Sequence, residues 1–367
     1  MGAVRDLRAG DPAPTFIQRS SCNPRYVFDT AAGRHLLLCL LGTADDDHSR
    51  AAIAAVTQRS DLFNDSRACF FGVTMDPADE AGRVQESIPG WRYFWDADGM
   101  VSKIYGGLPK NAAPGPAMDQ LERKWILIDP SFRIRAVLPF ADDRSDIERI
   151  LALTEELSEP QLIAESEVPA PVLVLPRVFE PEFCDELIAY CKQNELLDSG
   201  FMVERDGTTV IQQDASYKLR QDCLIEDEKL REKIRMRIVR TILPQITKAF
   251  QFGVSRIERY VVGCYTETNG GFFHPHRDNT TRGTAHRRFA VSIGLTDDYD
   301  GGELVFPEFG KRTYKPPRGG AVVFSCSLLH QVKPVHRGER FVLLPFLYDD
   351  AAAKVRDRNR KFVKLDT

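Results

Sequence analysis

The sequence predicts two domains of different class: an α/β domain, followed by a mainly β jelly roll with flanking helices. A chain of 367 residues carries a prior of roughly two to three domains. Continuous apolar stretches alternate with helix-like stretches in the first half, whereas short alternating stretches broken by Gly and Pro fill the chain from Arg256 onward. The acidic, proline-containing stretch 156–171 separates the two patterns.

Strands and helices alternate along residues 1–157, the predicted first domain. The stretches 34–41 and 69–76 are apolar throughout, which is typical of strands covered on both faces by helices. Strands that alternate with helices and close in a hairpin and a helix predict a thioredoxin-like α/β layer. Helices are predicted at 48–59, 77–88 and 143–157, and the closing hairpin at 125–138.

Residues 172–350 form the predicted second domain. A strand-like stretch at 172–179 and an amphipathic helix at 181–196 precede a long helix at 227–250, which Pro244 should kink or end. The short strands that follow have turn signals every 8–12 residues or so, a spacing typical of a sandwich or barrel. Such a jelly roll can hold a ligand where side chains converge from facing strands.

Two further segments complete the predicted organisation. Residues 158–171 are expected to be an ordered but exposed linker between the domains. The basic C-terminal tail, 351–367, is expected to be solvated and partly disordered.

Composition argues against several classes of function. A net charge of −4 gives no indication of a nucleic-acid or membrane surface as the main partner. No apolar stretch approaches the roughly 18 residues of a membrane helix, and the N-terminus lacks the apolar core of a secretory signal. The eight cysteines are scattered without any C-x-x-C pair, so we expect reduced, buried thiols in a cytoplasmic protein.

The stretch YTETNGGFFHPHRD, 265–278, contains candidate metal ligands. His276 and Asp278 are two residues apart, so on a strand their side chains point to the same face. His330 ends an apolar strand 52 residues after Asp278, far enough along the chain to return from the opposite side of a barrel. Two histidines and one carboxylate form a facial triad, which is diagnostic of non-haem Fe(II) oxygenases. An alternative pair, His274 with His276, is disfavoured by the carboxylate at Asp278.

Four further polar residues of the second half are expected outside the site. His286 and His336 are expected at turns or on the surface. Arg220 and Arg288 could contact substrate, but a solvated face is the expected position for both.

Arg340 is a candidate for binding a carboxylate cosubstrate. It lies ten residues after His330, on the strand that follows the turn at 334–338. Its planar guanidinium suits a bidentate ion pair with the distal carboxylate of a dicarboxylate.

The second half of the chain, roughly residues 172–350, contains an ordered set of motifs: Tyr265, GGFF at 270–273, His276-Arg277-Asp278, GGELVFP at 301–307, and RGGAVVFSCSLLHQVKPVHRGER at 318–340. This set resembles the prolyl-4-hydroxylase-like branch of the 2-oxoglutarate/Fe(II) dioxygenases.

This resemblance implies an enzyme that needs Fe(II), 2-oxoglutarate and O2, with ascorbate as an optional accessory. It implies hydroxylation of an unactivated C–H bond, with release of succinate and CO2, on a prolyl or peptide substrate or on a small amino-acid-like molecule. The family's cosubstrate-binding tyrosine corresponds to Tyr265, and Tyr260 is the alternative.

The first half contains a series of short motifs between residues 8 and 155: GDPAPTF, LLLCLLG, GVTMDP, DADGMVSKIYGG and RKWILIDPSFRIR. In their order and spacing these motifs resemble the peroxiredoxin branch of the thioredoxin fold. In that family a cysteine just after the strand that matches 36–41 attacks peroxide, but here no cysteine lies between Cys39 and Cys69. Arg123 stands where the family keeps an arginine that assists the thiolate. The resemblance therefore implies a module without peroxidase chemistry, with roles in packing, in homodimer formation or in shaping the second domain's site.

Two alternatives belong to other functional classes. One is a thiol-dependent peroxidase or redox sensor that acts through the first domain, and the missing cysteine argues against it. The other is a catalytically silent scaffold, against which the triad and Arg340 argue.

Overall fold

A computed structural model describes residues 5–113, 115, 118–157, 160 and 168–364. The chain divides into two compact units. The first unit runs to Pro169 and includes Pro307–Lys311, and the second holds Ala170–Phe306 and continues from Arg312. Most of the predicted linker, residues 158–159 and 161–167, lies outside the described residues.

The first unit is a mixed α/β structure. Its strands are β1 (Ile17–Gln18), β2 (Tyr26–Val27), β3 (His35–Gly42), β4 (Ala68–Thr74), β5 (Trp91–Trp95), β6 (Lys124–Ile128) and β7 (Ile134–Pro139), and its helices are α1 (Asp47–Thr57), α2 (Met100–Ile104) and α3 (Ser145–Glu155).

In the described part of this unit, five strands form one sheet in the order β5-β4-β3-β6-β7. The neighbours β5, β4 and β3 run parallel, and β6 and β7 add antiparallel strands at the other edge. Every residue of β3 is buried, as the continuous apolar stretch predicted.

The helix predicted at 77–88 forms only over its first part. Residues 77–83 are helical, with a helical turn at Asp79–Arg83, and Gly82 within it has a φ of 121°. A right-handed helix cannot continue through that backbone conformation, which glycine adopts readily. The residues after it are extended, with Val84 at φ −115° and ψ 148°.

The second unit contains most of the strands. Its helices are α4 (Pro181–Gln193), α5 (Glu228–Thr241), α6 (Leu243–Phe250) and α7 (Asp350–Asn359). Its strands are β8 (Leu173–Leu175), β9 (Leu197–Asp198), β10 (Phe201–Arg205), β11 (Thr208–Gln212), β12 (Lys218–Leu219), β13 (Gln221–Leu224), β14 (Arg256–Glu258), β15 (Val261–Thr266), β16 (Phe272–His276), β17 (Phe289–Gly294), β18 (Tyr299–Gly301), β19 (Leu304–Val305), β20 (Thr313–Tyr314), β21 (Ala321–Ser325), β22 (His330–Val332), β23 (Val335–Leu343), β24 (Phe346–Tyr348) and β25 (Val363–Lys364).

Two sheets of this unit position the candidate ligands. The larger sheet contains β15, β17, β21 and β23, and the smaller sheet has the order β12-β16-β22-β19-β20. The sheets meet where the ring of Phe324 on β21 packs 4.7 Å from the ring of His330 on β22. Helices α4, α5 and α6 bury their apolar faces with residues of the larger sheet in one hydrophobic core. As predicted, the long helical stretch is interrupted near Pro244, the second residue of α6.

The C-terminal segment is ordered, which corrects the prediction of a solvated, partly disordered tail for 351–367, as far as residue 364. Asp349 caps α7 by accepting a hydrogen bond from the backbone N–H of Ala352. Acidic residues begin α7 and arginines end it, which complements the helix dipole. After α7 the chain forms β25, which pairs in parallel with β11. Backbone pairing and helix capping therefore stabilise a segment whose basic composition alone suggested disorder.

Candidate metal and cosubstrate site

His276, Asp278 and His330 come together in the second unit. The Nε2 atom of His276 lies 3.7 Å from one oxygen of Asp278, and the Nε2 atom of His330 lies 3.5 Å from the other. One ligand atom from each residue lies within 4.8 Å of the others, a spacing that can hold one metal ion. Within the described residues no other group of three or more such side chains meets this criterion.

Backbone pairing and a β-bulge place these side chains. His276 on β16 is directly opposite His330 on β22, and Phe273 is opposite Val332. Phe273 and His276 are three residues apart on β16, whereas their partners Val332 and His330 are two residues apart on β22. The strand β16 therefore contains one extra residue, which forms a β-bulge. Pro275 lies in the bulge, where its missing N–H costs no ladder hydrogen bond. The bulge puts Phe273 and His276 on one face, with their rings stacked at 3.5 Å.

His274 lies apart from the triad. It is exposed, and its ring is near the rings of Phe272 and Tyr217, outside the group of potential ligand atoms. The bulge therefore separates His274 from His276, although the two are only two residues apart.

The imidazole rings of His276 and His330 have the same orientation relative to the backbone. The Nδ1 atom of His276 is 2.8 Å from the carbonyl oxygen of His274, and the Nδ1 atom of His330 is 3.1 Å from that of Leu328. A carbonyl oxygen can only accept, so each Nδ1 carries the proton and each Nε2 keeps its lone pair for a metal. Burial, together with the neighbouring His330, holds the pKa of His276 well below its ordinary value. A neutral imidazole is the form that binds metal.

Arg340 is a buried cation with an open donor. It is 5% exposed, and its Nη2 donates to the hydroxyl of Ser292 at 3.2 Å. Its Nη1 is buried and has no hydrogen-bond partner among the described residues. A buried guanidinium donor without an acceptor is costly, so this atom indicates a site for a ligand oxygen. A Cβ atom at Gly302 would lie 2.9 Å from Cδ of Arg340, so that glycine makes room for the arginine.

Tyr265 lies beside Arg340, whereas Tyr260 does not. Tyr265 on β15 is directly opposite Arg340 on β23, and the guanidinium lies 4.9 Å from the centre of its ring. Tyr260 instead packs against the hydrophobic core beneath the helices, with Arg231 over its ring. The geometry therefore favours Tyr265 as the partner of Arg340.

A buried polar network next to Tyr265 was not predicted. Arg220 was expected on a solvated face, but it is 7% exposed. Its Nε and Nη2 donate to the two oxygens of Asp222 at 2.7 and 2.9 Å, and Nη2 also donates to Ser199. Although burial opposes ionisation, the charges of Arg220 and Arg259 hold the pKa of Asp222 well below its ordinary value. The alternation Lys218, Arg220, Asp222 was the available signal, because it puts three charges on one face of an extended chain.

Lys218 extends this network towards the triad. Its Nζ donates to Ser199 at 2.7 Å and to the carbonyl of Gly200, and it lies 4.8 Å from the ring centre of Phe273. Burial, with the nearby charge of Arg220, lowers the pKa of Lys218 to about 5.

Three other residues considered from the sequence have different outcomes. His286, expected at a turn or surface, is buried, and its Nε2 lies 2.9 Å from an oxygen of Glu258. Arg288 is half-buried, and its Nη1 donates to the carbonyl oxygen of Ala285. His336 is exposed, as expected.

In the first unit, Arg123 has a partner that the sequence did not reveal. Its Nη1 donates to Asp46 at 2.5 Å, and Asp46 caps α1 by accepting from the backbone N–H groups of His48 and Ser49. The thiols of Cys39 and Cys69 are buried, and burial raises the pKa of both, to about 12 for Cys69. Among the described residues, Cys22 is exposed and the other seven cysteines are buried.

Part of the second unit is similar in sequence to a known family of enzymes. Residues 260–348 match the family model described as the 2OG-Fe(II) oxygenase superfamily, and they contain all five candidate site residues. The oxygenases of that family use Fe(II), 2-oxoglutarate and O2.

Among curated relatives, a PKHD-type hydroxylase from Synechococcus sp. (strain JA-2-3B'a(2-13)) is 26% identical over 149 residues, 39% of this chain and 62% of that protein. The PKHD-type hydroxylase PiuC from Pseudomonas aeruginosa is 39% identical over 87 residues, 21% of this chain and 38% of that protein. The chain thus spans less than two thirds of the length of these relatives.

Among solved structures, a Pseudomonas putida prolyl-4-hydroxylase matches with a TM-score of 0.37 and 18% identity, covering 49% of this chain and 92% of that one. A prolyl hydroxylase from Trichoplax adhaerens, solved with a hypoxia inducible factor peptide fragment, matches with a TM-score of 0.41 and 14% identity. That match covers 51% of this chain and 86% of the other. None of the described helices is long and apolar enough to cross a membrane.

Proposed function

We propose that the chain is an Fe(II)- and 2-oxoglutarate-dependent dioxygenase that hydroxylates a C–H bond and releases succinate and CO2. One observation carries this proposal: a two-histidine, one-carboxylate cluster lies in the same unit as a buried arginine with an open donor. The first feature fits a metal with free coordination positions, and the second fits a carboxylate.

His276, Asp278 and His330 are the proposed iron ligands. Each offers the atom that a metal needs, because both Nε2 atoms keep a lone pair and the carboxylate oxygens of Asp278 face them at 3.7 and 3.5 Å. The hydrogen bonds from each Nδ1 to a backbone carbonyl fix the ring orientation and the tautomer before any metal binds. When bound, Fe(II) with 2-oxoglutarate supplies the activation of O2 that breaks an unactivated C–H bond.

Arg340 and Tyr265 are the proposed cosubstrate-binding residues. The open Nη1 of Arg340 can donate to one end of a dicarboxylate, and the hydroxyl of Tyr265 can donate beside it. Both side chains are at least nine-tenths buried, so water competes little for the bound carboxylate and each charge-assisted hydrogen bond is strengthened.

Succinate formation tests this function. The purified protein with Fe(II), 2-oxoglutarate and ascorbate should form succinate, at a low rate without a primary substrate and at a higher rate with one. Peptides that contain proline and free amino acids are the two substrate classes to compare. A protein that binds neither Mn(II) nor 2-oxoglutarate would instead be the silent scaffold.

We further propose that the first unit is a thioredoxin-like module without peroxidase chemistry. Its parallel and antiparallel strand order supports this, and so does the Asp46–Arg123 ion pair at the start of α1. A buried thiol with a raised pKa is a poor nucleophile, because the thiolate is the reactive form. Hydrogen peroxide should therefore not be turned over through Cys39 or Cys69 with a thiol reductant, and Cys39→Ser should not change succinate formation. Peroxide turnover that needs any thiol of this unit, the exposed Cys22 included, would support the redox alternative.

A further inference from the structure

We propose that Arg220 is a positioning residue, which holds the hydroxyl of Tyr265 so that its proton is available to the cosubstrate carboxylate. The inference rests on the proposed function and adds a residue that the triad and Arg340 do not include. It starts from the contact between Nη1 of Arg220 and the hydroxyl oxygen of Tyr265, which is 3.4 Å long and buried.

The direction of this hydrogen bond decides its effect. A guanidinium has only donors, so the hydroxyl oxygen of Tyr265 must accept from Arg220. The hydroxyl proton then needs an acceptor elsewhere, and the described residues provide no second hydrogen bond for this hydroxyl. An oxygen of a carboxylate bound at the open Nη1 of Arg340 is a suitable acceptor, because Arg340 also lies over the Tyr265 ring. Arg220 therefore leaves the hydroxyl of Tyr265 in the donor role that carboxylate binding needs.

The backbone of β15 leaves room for Arg220 to reach Tyr265. Asp222 on β13 is directly opposite Gly263 on β15, and the side chain of Arg220 crosses this glycine. A Cβ atom at Gly263 would lie 2.8 Å from Cδ and 3.2 Å from Nε of Arg220. Any larger residue at 263 would push the guanidinium away from its present path.

Asp222 fixes the plane of the guanidinium. It accepts from Nε and Nη2 of Arg220 with both oxygens, which leaves Nη1 as the nitrogen that faces Tyr265. Asp222 also accepts from Ser199 and from Arg259. A bidentate pair of this kind sets orientation as well as charge, so Arg220 is held in place before a ligand arrives.

Binding of 2-oxoglutarate to the full-length Mn(II) protein, measured by calorimetry, tests the inference. Arg220→Gln and Tyr265→Phe should each raise the dissociation constant about tenfold, the size expected for loss of one hydrogen bond to a charged group. The double variant should bind no worse than Tyr265→Phe alone, because Arg220 acts through the hydroxyl that this variant lacks. Mn(II) affinity should stay within about twofold in all three, since none changes a proposed ligand.

Arg259→Gln is the matched control. Arg259 pairs with the same carboxylate, Asp222, but lies over the ring of Phe346 and makes no described contact with Tyr265. Its loss should leave the dissociation constant within about twofold. Two other variants test the inference if Arg220→Gln does not fold. Arg220→Lys keeps the charge but loses the nitrogen that contacts Tyr265, and Gly263→Ala displaces the arginine side chain. Each should raise the dissociation constant for 2-oxoglutarate by the same factor of about ten.

Three results would overturn the inference. Unchanged 2-oxoglutarate binding in a folded Arg220 variant is the first. The second is a double variant about a hundredfold weaker than the wild type, which would mean that the two residues act independently. The third is a wild-type protein that binds Mn(II) but no 2-oxoglutarate, and this third result alone would also remove the proposed function.

Discussion

The two histidines and the carboxylate of the proposed triad can be tested one side chain at a time. His276→Ala or Asp278→Ala should reduce succinate formation at least about a hundredfold, because the loss of one of three ligands removes a fixed coordination bond. Mn(II) affinity, measured by calorimetry, should fall with it.

His274→Ala is the matched control for the triad. It removes an imidazole two residues from His276, on the other side of the bulge, and it should leave both succinate formation and Mn(II) affinity within about twofold. A fully active His276→Ala protein would show that the site lies elsewhere.

Arg340 is proposed to bind the distal carboxylate of the cosubstrate. Arg340→Gln should raise the KM for 2-oxoglutarate about thirtyfold, equivalent to about 2 kcal/mol for a charge-assisted hydrogen bond. Arg340→Lys should recover only part of this, because an ammonium lacks the planar fork. The KM measured from initial rates of succinate formation decides between these outcomes, and equal KM values in all three proteins would contradict the assignment.

Glu258 makes stability depend on pH. Burial raises the pKa of this carboxyl, but hydrogen bonds and charge from His286 and Arg287 outweigh burial and lower it to about 2. The carboxylate therefore stabilises the fold fully above a pH of about 4.3, the ordinary value for Glu, and this contribution is lost as the pH falls towards 2. Glu258→Gln should lower the free energy of unfolding by about 2 to 3 kcal/mol at pH 7, the size that linkage gives for this pKa shift.

Urea denaturation at several pH values measures this effect. The difference between Glu258→Gln and the wild type should shrink as the pH is lowered from about 4 towards 2. Asp298→Asn is the control, since Asp298 is an exposed carboxylate paired with Arg337, and it should change stability little at any pH. A Glu258 effect that is constant from pH 7 to pH 3 would exclude this origin.

At the scale of single residues, the sequence was informative where chemistry restricts the choice of side chain. The triad residues His276, Asp278 and His330 were selected from their types and spacing, and the structure brings them together. Arg340 was selected in the same way and Tyr265 from the family resemblance, and the structure places these two side by side. Arg220 and His286 were misjudged, because their burial depends on which strands and loops cover them. The local pattern around His286 does not encode this long-range pairing, and the pattern around Arg220 offers only the alternation of charged residues at 218, 220 and 222.

At the scale of elements, the C-terminal strand β25 should stabilise the hairpin formed by β10 and β11. Val363 and Lys364 pair with Thr209 and Val210, and Phe362 lies under the guanidinium of Arg282. A chain that ends after Asn359 loses these contacts. Amide hydrogen exchange in the hairpin should then become roughly tenfold faster, as expected for a loss of about 1.4 kcal/mol of local stability.

Exchange in β21, which β25 does not touch, should be unchanged in the same protein. The full-length Arg358→Ala variant, altered at an exposed residue of α7, should exchange like the wild type in both regions. Equal hairpin exchange in the truncated and full-length chains would mean that β25 does not stabilise the hairpin.

Elements were predictable where the local pattern was unambiguous. The apolar stretch around Leu37 formed β3, and Pro244 lies at the break between α5 and α6. The helix expected at 77–88 failed at Gly82, whose left-handed backbone has no sequence signal beyond glycine itself. The strand β25 could not be predicted, because it exists only through pairing with β11, some 150 residues earlier in the chain.

At the scale of the whole molecule, the proposed chemistry belongs to the second unit alone. All five proposed site residues lie between 260 and 348, so residues 170–367 should suffice for binding. This fragment should bind Mn(II) and 2-oxoglutarate with dissociation constants within about threefold of those of the full chain, as measured by calorimetry.

Circular dichroism should show first that the fragment is folded. The full-length His276→Ala protein is the control that should fail to bind. A folded fragment that binds Mn(II) but not 2-oxoglutarate would contradict this prediction.

Because of the bulge in β16, a single-residue deletion should have different effects on β16 and on its partner strand β22. Deletion of Pro275 would remove the extra residue and leave a regular ladder, with Phe273 still opposite Val332 and His276 still opposite His330. Deletion of Gln331 on β22 would make His330 and Val332 adjacent. Their side chains would then point to opposite faces of the sheet, so one of the two would leave its present position. Loss of one codon should thus preserve the register of this strand pair on β16 and shift it on β22, an asymmetry that a deletion scan would reveal and a substitution scan would miss.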